Sequence, residues 1–384
     1  ILSFLCYNDI SAMSRLHRSA SSRMSRPAIS IQSGGGWTFG SPSVLMMFYR
    51  APGELESELA EMDECMPHYY RVTNRHGQGA ETIMRAEALF YQGHVTDAHI
   101  ELERAYAQVG GNGQINMALC CDFLSWRLSL HTDVERRYTF SERYAALLRY
   151  HDASWINIWS ATSTYYHALR GETDKIPEIF SQHRLSDIHL LAPGKPMMEM
   201  IENQVYLAQG AYAKVVGRSA ELLAACEAMH YALVALHIRI QTAAAYARLG
   251  KPETAHTWLQ KALSDAGPDG LVMPFAENYS LLKPLLARET RSAFTARITA
   301  IGEAAQARGA ERLRPAAFRA LTAREFEIVE LMVQRLSNRE IAQKCYLSEG
   351  SVKQYVNQIY SKLHIEGDTR TKRAQLAVLL HEKT

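Results

Sequence analysis

The side chains best suited to chemistry are Lys353, Gln354 and Asn357, in the stretch LSEGSVKQYVNQIYSKL, residues 347–363. An ammonium and two amides are the groups that meet base edges in a DNA major groove: Lys donates to guanine, and an amide both accepts and donates. Wound as a helix at about 100° per residue, they share a sector of roughly 100° with Gly350 and Ser361. Val352, Val356, Ile359 and Leu363 fall within a sector of about 60° on the far edge. Ser348 and Ser351, near the start of the helix, can donate to phosphate beside free backbone N–H groups. Any amphipathic surface helix has a polar face, so the angles leave simple solvation open.

What must hold that face is a small set of helices. The sequence predicts helices at 322–335, 338–345, 349–363 and 369–382. Thr322 with Glu325 three residues on has the form of a capping box. Ser337 and Asn338 open the second helix, and Ser348 caps the third. The joint between the second and third is only Tyr346, Leu347 and Ser348, with Leu347 placed to bury itself. Two short helices with such a joint form a helix-turn-helix. Residues 311–384 carry 13 Lys/Arg against 9 Asp/Glu, a net of +4, while the whole chain carries +2. The basic charge therefore sits on the small C-terminal piece, which fits a nucleic-acid module on a neutral scaffold.

The rest of the chain reads as helix after helix. From about residue 80 to 310, Ala and Leu recur at helical spacing and no alternating strand is evident. Four segments place a glycine between two helices, at Gly93, Gly171, Gly210 and Gly250, with gaps of 78, 39 and 40 residues. A glycine-free turn near His131–Thr132 would fill the double gap. A period of about 40 residues built from helix pairs is the pattern of an α-solenoid. In the last pair, Ala244, Tyr246, Ala255, Leu259 and Ala262 match a tetratricopeptide pattern best. Residues 18–53, rich in Ser, Gly and Pro, read as a loop, followed by a helix at about 54–63. Residues 264–275 read as a second break, followed by helices at 277–288 and 290–308. RGAERLRPAAFRA, residues 308–320, reads as the linker between domains.

Several constellations argue against other functions. No nucleophile, base and orienter share a spacing that would make a catalytic set, so no catalytic residue is assigned. The six cysteines include no CxxC pair, no Cys/His cluster has zinc-ligand spacing, and no metal is expected. They read as reduced, buried thiols of a cytoplasmic protein. No apolar run approaches the ~20 residues of a membrane span, and ILSFLCYNDI lacks the cationic start of a signal peptide. The chain opens on Ile in what reads as mid-helix, so a longer gene product is expected. Trp155, Trp159 and Tyr166 lie near one helical face and could stack on a sugar or aromatic effector; the other reading is solenoid core. Trp37, in a Gly/Ser/Pro loop, could line the same kind of pocket or simply staple the loop.

The run LTAREFEIVELMVQRLSNREIAQKCYLSEGSVKQYVNQIYSKLHI resembles the LuxR-type helix-turn-helix. Leu321, Thr322, Arg324, Glu325 and Glu327 match the opening of that motif. Ser337, Asn338, Glu340, Ile341 and Ala342 match its scaffold helix. Ser348, Glu349, Val352, Lys353, Ile359, Lys362 and Leu363 match its recognition helix. Departures are Ala323 for a usual Pro, Arg335 for Gly, Ser351 for Thr, and Tyr355 where His is common. The resemblance implies base contacts from Lys353, Gln354 and Asn357, with Tyr355 among the DNA-binding residues. It implies phosphate contacts from Thr322, Ser337, Asn338, Arg339, Ser348 and Ser351, and places Lys362 among the DNA-binding residues.

More softly, GGGWTFGSPSVLMMFYRAPGELESELAEMDECMPHYY and GPDGLVMPFAENYSLLKPLL are similar to the helical region of large ATP-dependent LuxR-type regulators of the maltose-regulon-activator kind. Those proteins carry an N-terminal NTPase. No GxxxxGK[ST] occurs in this sequence, so ATP is expected only in a domain outside it, and no cofactor within it.

The expectation is an all-α bacterial transcription regulator. Residues 1–310 would form a tetratricopeptide-like superhelix that senses an effector or mediates oligomerisation, residues 311–318 a linker, and residues 319–384 a four-helix LuxR-type helix-turn-helix domain. Expected partners are double-stranded DNA, RNA polymerase, a small-molecule effector and a second copy on DNA, with no membrane. The alternative is a helical-repeat protein-interaction scaffold that does not bind DNA.

Overall fold

The computed structural model describes residues 9–23, 40–73, 75–110, 115–133, 136–150, 153–312, 316–318 and 320–381. Trp37, and the opening residues 1–8, lie outside them. The described residues form twenty α-helices with short 3-10 turns and no strand. None of these helices is long and apolar enough to cross a membrane. The chain divides into two compact units, Ile1–Ala305 and Gln306–Thr384.

In the first unit, neighbours in sequence are neighbours in space. Helix Ala80–Tyr91 packs on Val95–Gly110, and that on Ile115–His131. Lys195–Ala208, Tyr212–Met229, Ala232–Arg248 and Pro252–Ala266 follow one another in the same way. The glycine turns share one geometry. At the first, Gly93 has φ 80°, its N–H donates to Phe90 O, and the His94 N–H reaches back to Leu89 O. This closes a helix end with the two carbonyl bonds of a Schellman cap. The same pair of bonds recurs at Gly171, Gly210 and Gly250. At Gly93 a side chain would also collide with Ile301 and Val272, both 2.8 Å from an added Cβ. The pairing is uneven, because the helix after Gly171 is only Glu178–Ser181. Ala244, Ala255, Leu259 and Ala262 are fully buried.

The Ser/Gly/Pro segment differs from the expected loop at both ends. Residues 18–23 belong to helix Ile10–Arg23, where Ser21 meets His68 at 3.0 Å. Val44 to Tyr49 are buried, forming the short helix Leu45–Phe48 and its exit. The apolar run VLMMFY outweighs the flanking turn residues, because burying six such side chains stabilises more than loop solvation does. The buried Glu87 carboxylate accepts the Leu45 N–H at 2.7 Å, and burial pushes its pKa up to about 7.

The second unit has its own core, built on Phe318, Leu321, Ile328, Ile341, Val352, Ile359 and Leu376 among others. Its four helices are α1 (Ala323–Val333), α2 (Asn338–Cys345), α3 (Glu349–Lys362) and α4 (Thr369–His381). Their bounds lie close to those expected from the caps. Both ends of the expected linker, residues 311–318, fall within described elements. Helix Ala293–Arg312 runs into it, and Phe318 at its end is fully buried against the Phe326 ring, centroids 5.6 Å apart. One apolar aromatic next to an Arg/Ala/Pro run reads as linker in sequence, yet it fills the domain core.

Candidate nucleic-acid interface

Helix α3 is fixed at both ends and along one edge. Val352 and Ile359 are fully buried and Tyr360 nearly so, while Val356 and Leu363 are half-buried against the same core. At its start, Ser348 takes an extended conformation and its Oγ accepts the Ser351 N–H at 3.0 Å. The two serine hydroxyls lie 2.9 Å apart. At its end, the Lys362 ammonium donates to Glu325 Oε2 at 2.8 Å.

The turns before α3 and α2 are each held from another helix. Tyr346 ends α2 in the left-handed region at φ 54°, and the Leu347 N–H bonds back to Ala342 O at 2.9 Å. Arg324, on α1, donates to the Cys345 carbonyl and to Glu327. A guanidinium there satisfies a carbonyl that the end of α2 leaves without a helical partner. From α4, Arg373 donates to Leu336 O at 2.8 Å and contacts Asn338 Oδ1 at 3.4 Å, fixing the entry to α2.

Both expected capping boxes close. Thr322 Oγ1 accepts from the Glu325 N–H while Glu325 accepts from the Thr322 N–H. Ser337 and Glu340 do the same. Burial pushes the Glu325 carboxyl up, but the bonds from Lys362 and Thr322 outweigh it and hold its pKa below the ordinary value. The Ser337 hydrogen bonds lower that of Glu340.

The outer face of α3 is then what remains. Lys353, Gln354, Asn357 and Ser361 are exposed, and Gly350 has only Ser348 Oγ within 4 Å of an added Cβ. A rigid, polar helix face free of large apolar side chains can enter a groove without desolvating a charge pair. Residues 319–375 match the family described as bacterial regulatory proteins, luxR family. The C-terminal unit carries a LuxR-family helix-turn-helix domain. A transcriptional regulatory protein of Bacillus subtilis (strain 168), LnrK, is 44% identical over 50 residues, which is 13% of this chain. The match spans 23% of LnrK, about a quarter of its length. No solved structure matches.

The other expected site residues of the LuxR-family domain sort by what they already hold. Thr322, Ser337 and Ser348 are exposed caps, and Arg339 is exposed in the first turn of α2. Asn338 is half-buried against Arg373. Lys362 is engaged by Glu325, and Tyr355 packs half-buried against the core. Tyr355 therefore works partly as a core residue, which accounts for an aromatic ring at that position. Sequence reasoning missed Arg324 and Arg373 as positioning residues. Arg324 stood in the matched motif without a role, and Arg373 had no local signal, since its partners are 35 and 37 residues away.

In the first unit the aromatic platform is largely filled by the protein itself. Tyr166 is 4% exposed, its hydroxyl 3.0 Å from both Arg136 and Arg170, its ring edge-on to Trp126 and Phe140. It cannot stack on an outside ring. Trp159 donates to Phe140 O at 3.1 Å and lies 4.5 Å from the Tyr144 ring. Trp155 is half-buried against the core.

Proposed function

We propose that this chain binds double-stranded DNA through α3 and regulates transcription, with Lys353, Gln354 and Asn357 reading bases. The observation that carries it is the exposure of those three side chains on a helix that is capped, buried on its other edge, and inside the LuxR-family match. Arg339 and the residues at the helix starts would meet phosphate, supplying affinity without sequence preference. The first unit would act as a tetratricopeptide-like superhelix that senses an effector or brings copies together. RNA polymerase as a partner, a cytoplasmic location, a non-catalytic role and an ATP-dependent domain elsewhere in a longer protein belong to the same reading. Dimers on DNA would then favour half-sites spaced by whole helical turns.

The test is selection of genomic fragments by the full chain, followed by footprinting with Lys353→Ala and Asn357→Ala. Each variant is expected to lose sequence preference while circular dichroism stays unchanged. Protection falling by orders of magnitude between ~50 and ~200 mM salt would mark phosphate-driven binding. Footprints unchanged in both variants would overturn the assignment of the reading face.

A further inference from the structure

A cavity of about 560 Å³ lies in the first unit, between the Tyr49–Pro52 segment and helices Tyr212–Met229, Ala232–Arg248 and Pro252–Ala266. That volume is within the range of small-molecule sites. Its walls divide by chemistry. Ala220, Leu223, Ala224, Ala235 and Leu236 give an apolar bed, and the alanines leave the space open. Arg50, Arg239 and Lys261 face it with Asp265, Glu227 and His230.

Three cations face two carboxylates in this wall, Asp265 and Glu227. Asp265 is shared by two cations, Arg239 at 3.0 Å and Lys261 at 2.8 Å. Arg50 reaches Asp9 only at 3.6 Å, and its buried Nε has no hydrogen-bond partner. That Nε is closed to solvent, but the Arg50 side chain as a whole is 30% exposed, so its outer donors can meet a ligand oxygen. The wall bearing Arg50 is held in place. Asp269 accepts from Tyr49 Oη and the Gly53 N–H at 2.5 Å each, and the Ala232 N–H donates to Tyr49 O at 3.2 Å. Cys226 lines the cavity as a buried thiol whose pKa burial pushes up to about 12, so it supplies no nucleophile.

We propose that this cavity binds a small amphipathic anion, a carboxylate or phosphate head at Arg50, Arg239 and Lys261 on a short apolar body. As the effector site of a regulator, it rests on the sensing role proposed above; as a binding site it stands without it. It also places recognition away from the aromatic cluster around Tyr166.

The test is calorimetric titration of the full chain, without DNA, with octanoate, octyl phosphate, octan-1-ol and octylamine. At least one of the two anions is expected to bind, and which one identifies the head group. The alcohol and the amine should bind at least about tenfold more weakly, the loss of one charge-assisted contact. Arg50→Gln should weaken the anion about tenfold or more. Ala224→Trp, at an exposed position of the wall, should abolish binding with circular dichroism unchanged. No binding of either anion, equal binding of the alcohol or the amine, or unchanged binding in Arg50→Gln would overturn the proposal. DNA retention is measured separately, so loss of one reading leaves the other standing.

Discussion

Lys362, in the last turn of α3, donates to the same Glu325 carboxylate that closes the capping box of α1, at 2.8 Å. One buried acid thus fixes the end of one helix and the start of another. Lys362→Met leaves that carboxylate without its cation. The expected loss is roughly 1–2 kcal/mol, kept low because the Lys362 side chain is 40% exposed. Amide exchange across Ala323–Val333 and Glu349–Lys362 would report it locally. Glu325 has a folded pKa below its unfolded value of about 4.3. Its contribution is complete above that value and is lost as pH falls through the folded one. Exchange rates of the wild type and Glu325→Gln should therefore converge as pH falls through and below that folded value. A persistent gap there would place the effect elsewhere.

Ser348 separates a structural from an electrostatic role at the head of α3. Ser348→Ala removes the acceptor for the Ser351 N–H and should cost about 1 kcal/mol. Ser348→Asp keeps an acceptor and should hold the helix, yet sets a negative charge where phosphate is proposed to lie. The aspartate variant is expected to match wild-type stability and bind DNA many-fold more weakly at low salt. Equal DNA affinity for the aspartate variant and the wild type would remove Ser348 from the phosphate-facing surface.

The second unit was more legible in sequence than the first, for a physical reason. Thr322, Ser337 and Ser348 act on their own helices within three residues, so their roles are written locally. The glycine turns at Gly93, Gly171, Gly210 and Gly250 were legible on the same ground. What could not be read were ties across long separations. Arg373 reaches back to Leu336, Asp269 to Tyr49 and Gly53, and Phe318 enters a core whose other members follow it. The cavity was hidden for the same reason. Arg50 and Arg239 are 189 positions apart in the sequence and share a wall only in the fold.

A second long-range tie carries a larger expected effect. Arg127 and Glu277, both almost fully buried, form a two-pronged pair at 2.7 and 3.0 Å. The Tyr91 and Tyr165 hydroxyls complete it, and each also faces a ring nitrogen of buried His237. Arg127→Met strands a buried carboxylate and should destabilise the first unit by about 3–5 kcal/mol. Arg127→Met with Glu277→Leu should recover much of that, and urea unfolding of the three proteins decides it. Burial, then the Arg127 charge, holds the His237 pKa well below its ordinary value. The contribution of His237 is therefore complete above about pH 6.5 and falls by up to ~1.4 kcal/mol per pH unit below it. His237→Gln should flatten that slope between pH 6.5 and 5.5.

Two glycines on helix Ala293–Arg312 should answer the same substitution with opposite signs. An added Cβ at Gly302 would sit 2.3–2.7 Å from atoms of the Tyr279 side chain, Cβ among them. Tyr279 is 3% exposed, so its ring has little room to retreat. Gly302→Ala gains about 1 kcal/mol of helix propensity but forces overpacking that typically costs ~1–3 kcal/mol. The net is expected to be destabilising. At Gly309 nothing lies within 4 Å of an added Cβ and the position is exposed. There the propensity gain stands alone, and Gly309→Ala should stabilise the helix by about 0.5–1 kcal/mol. Amide exchange along the helix reads both effects in one experiment. A stabilised Gly302→Ala would mean that Tyr279 can move aside at little cost.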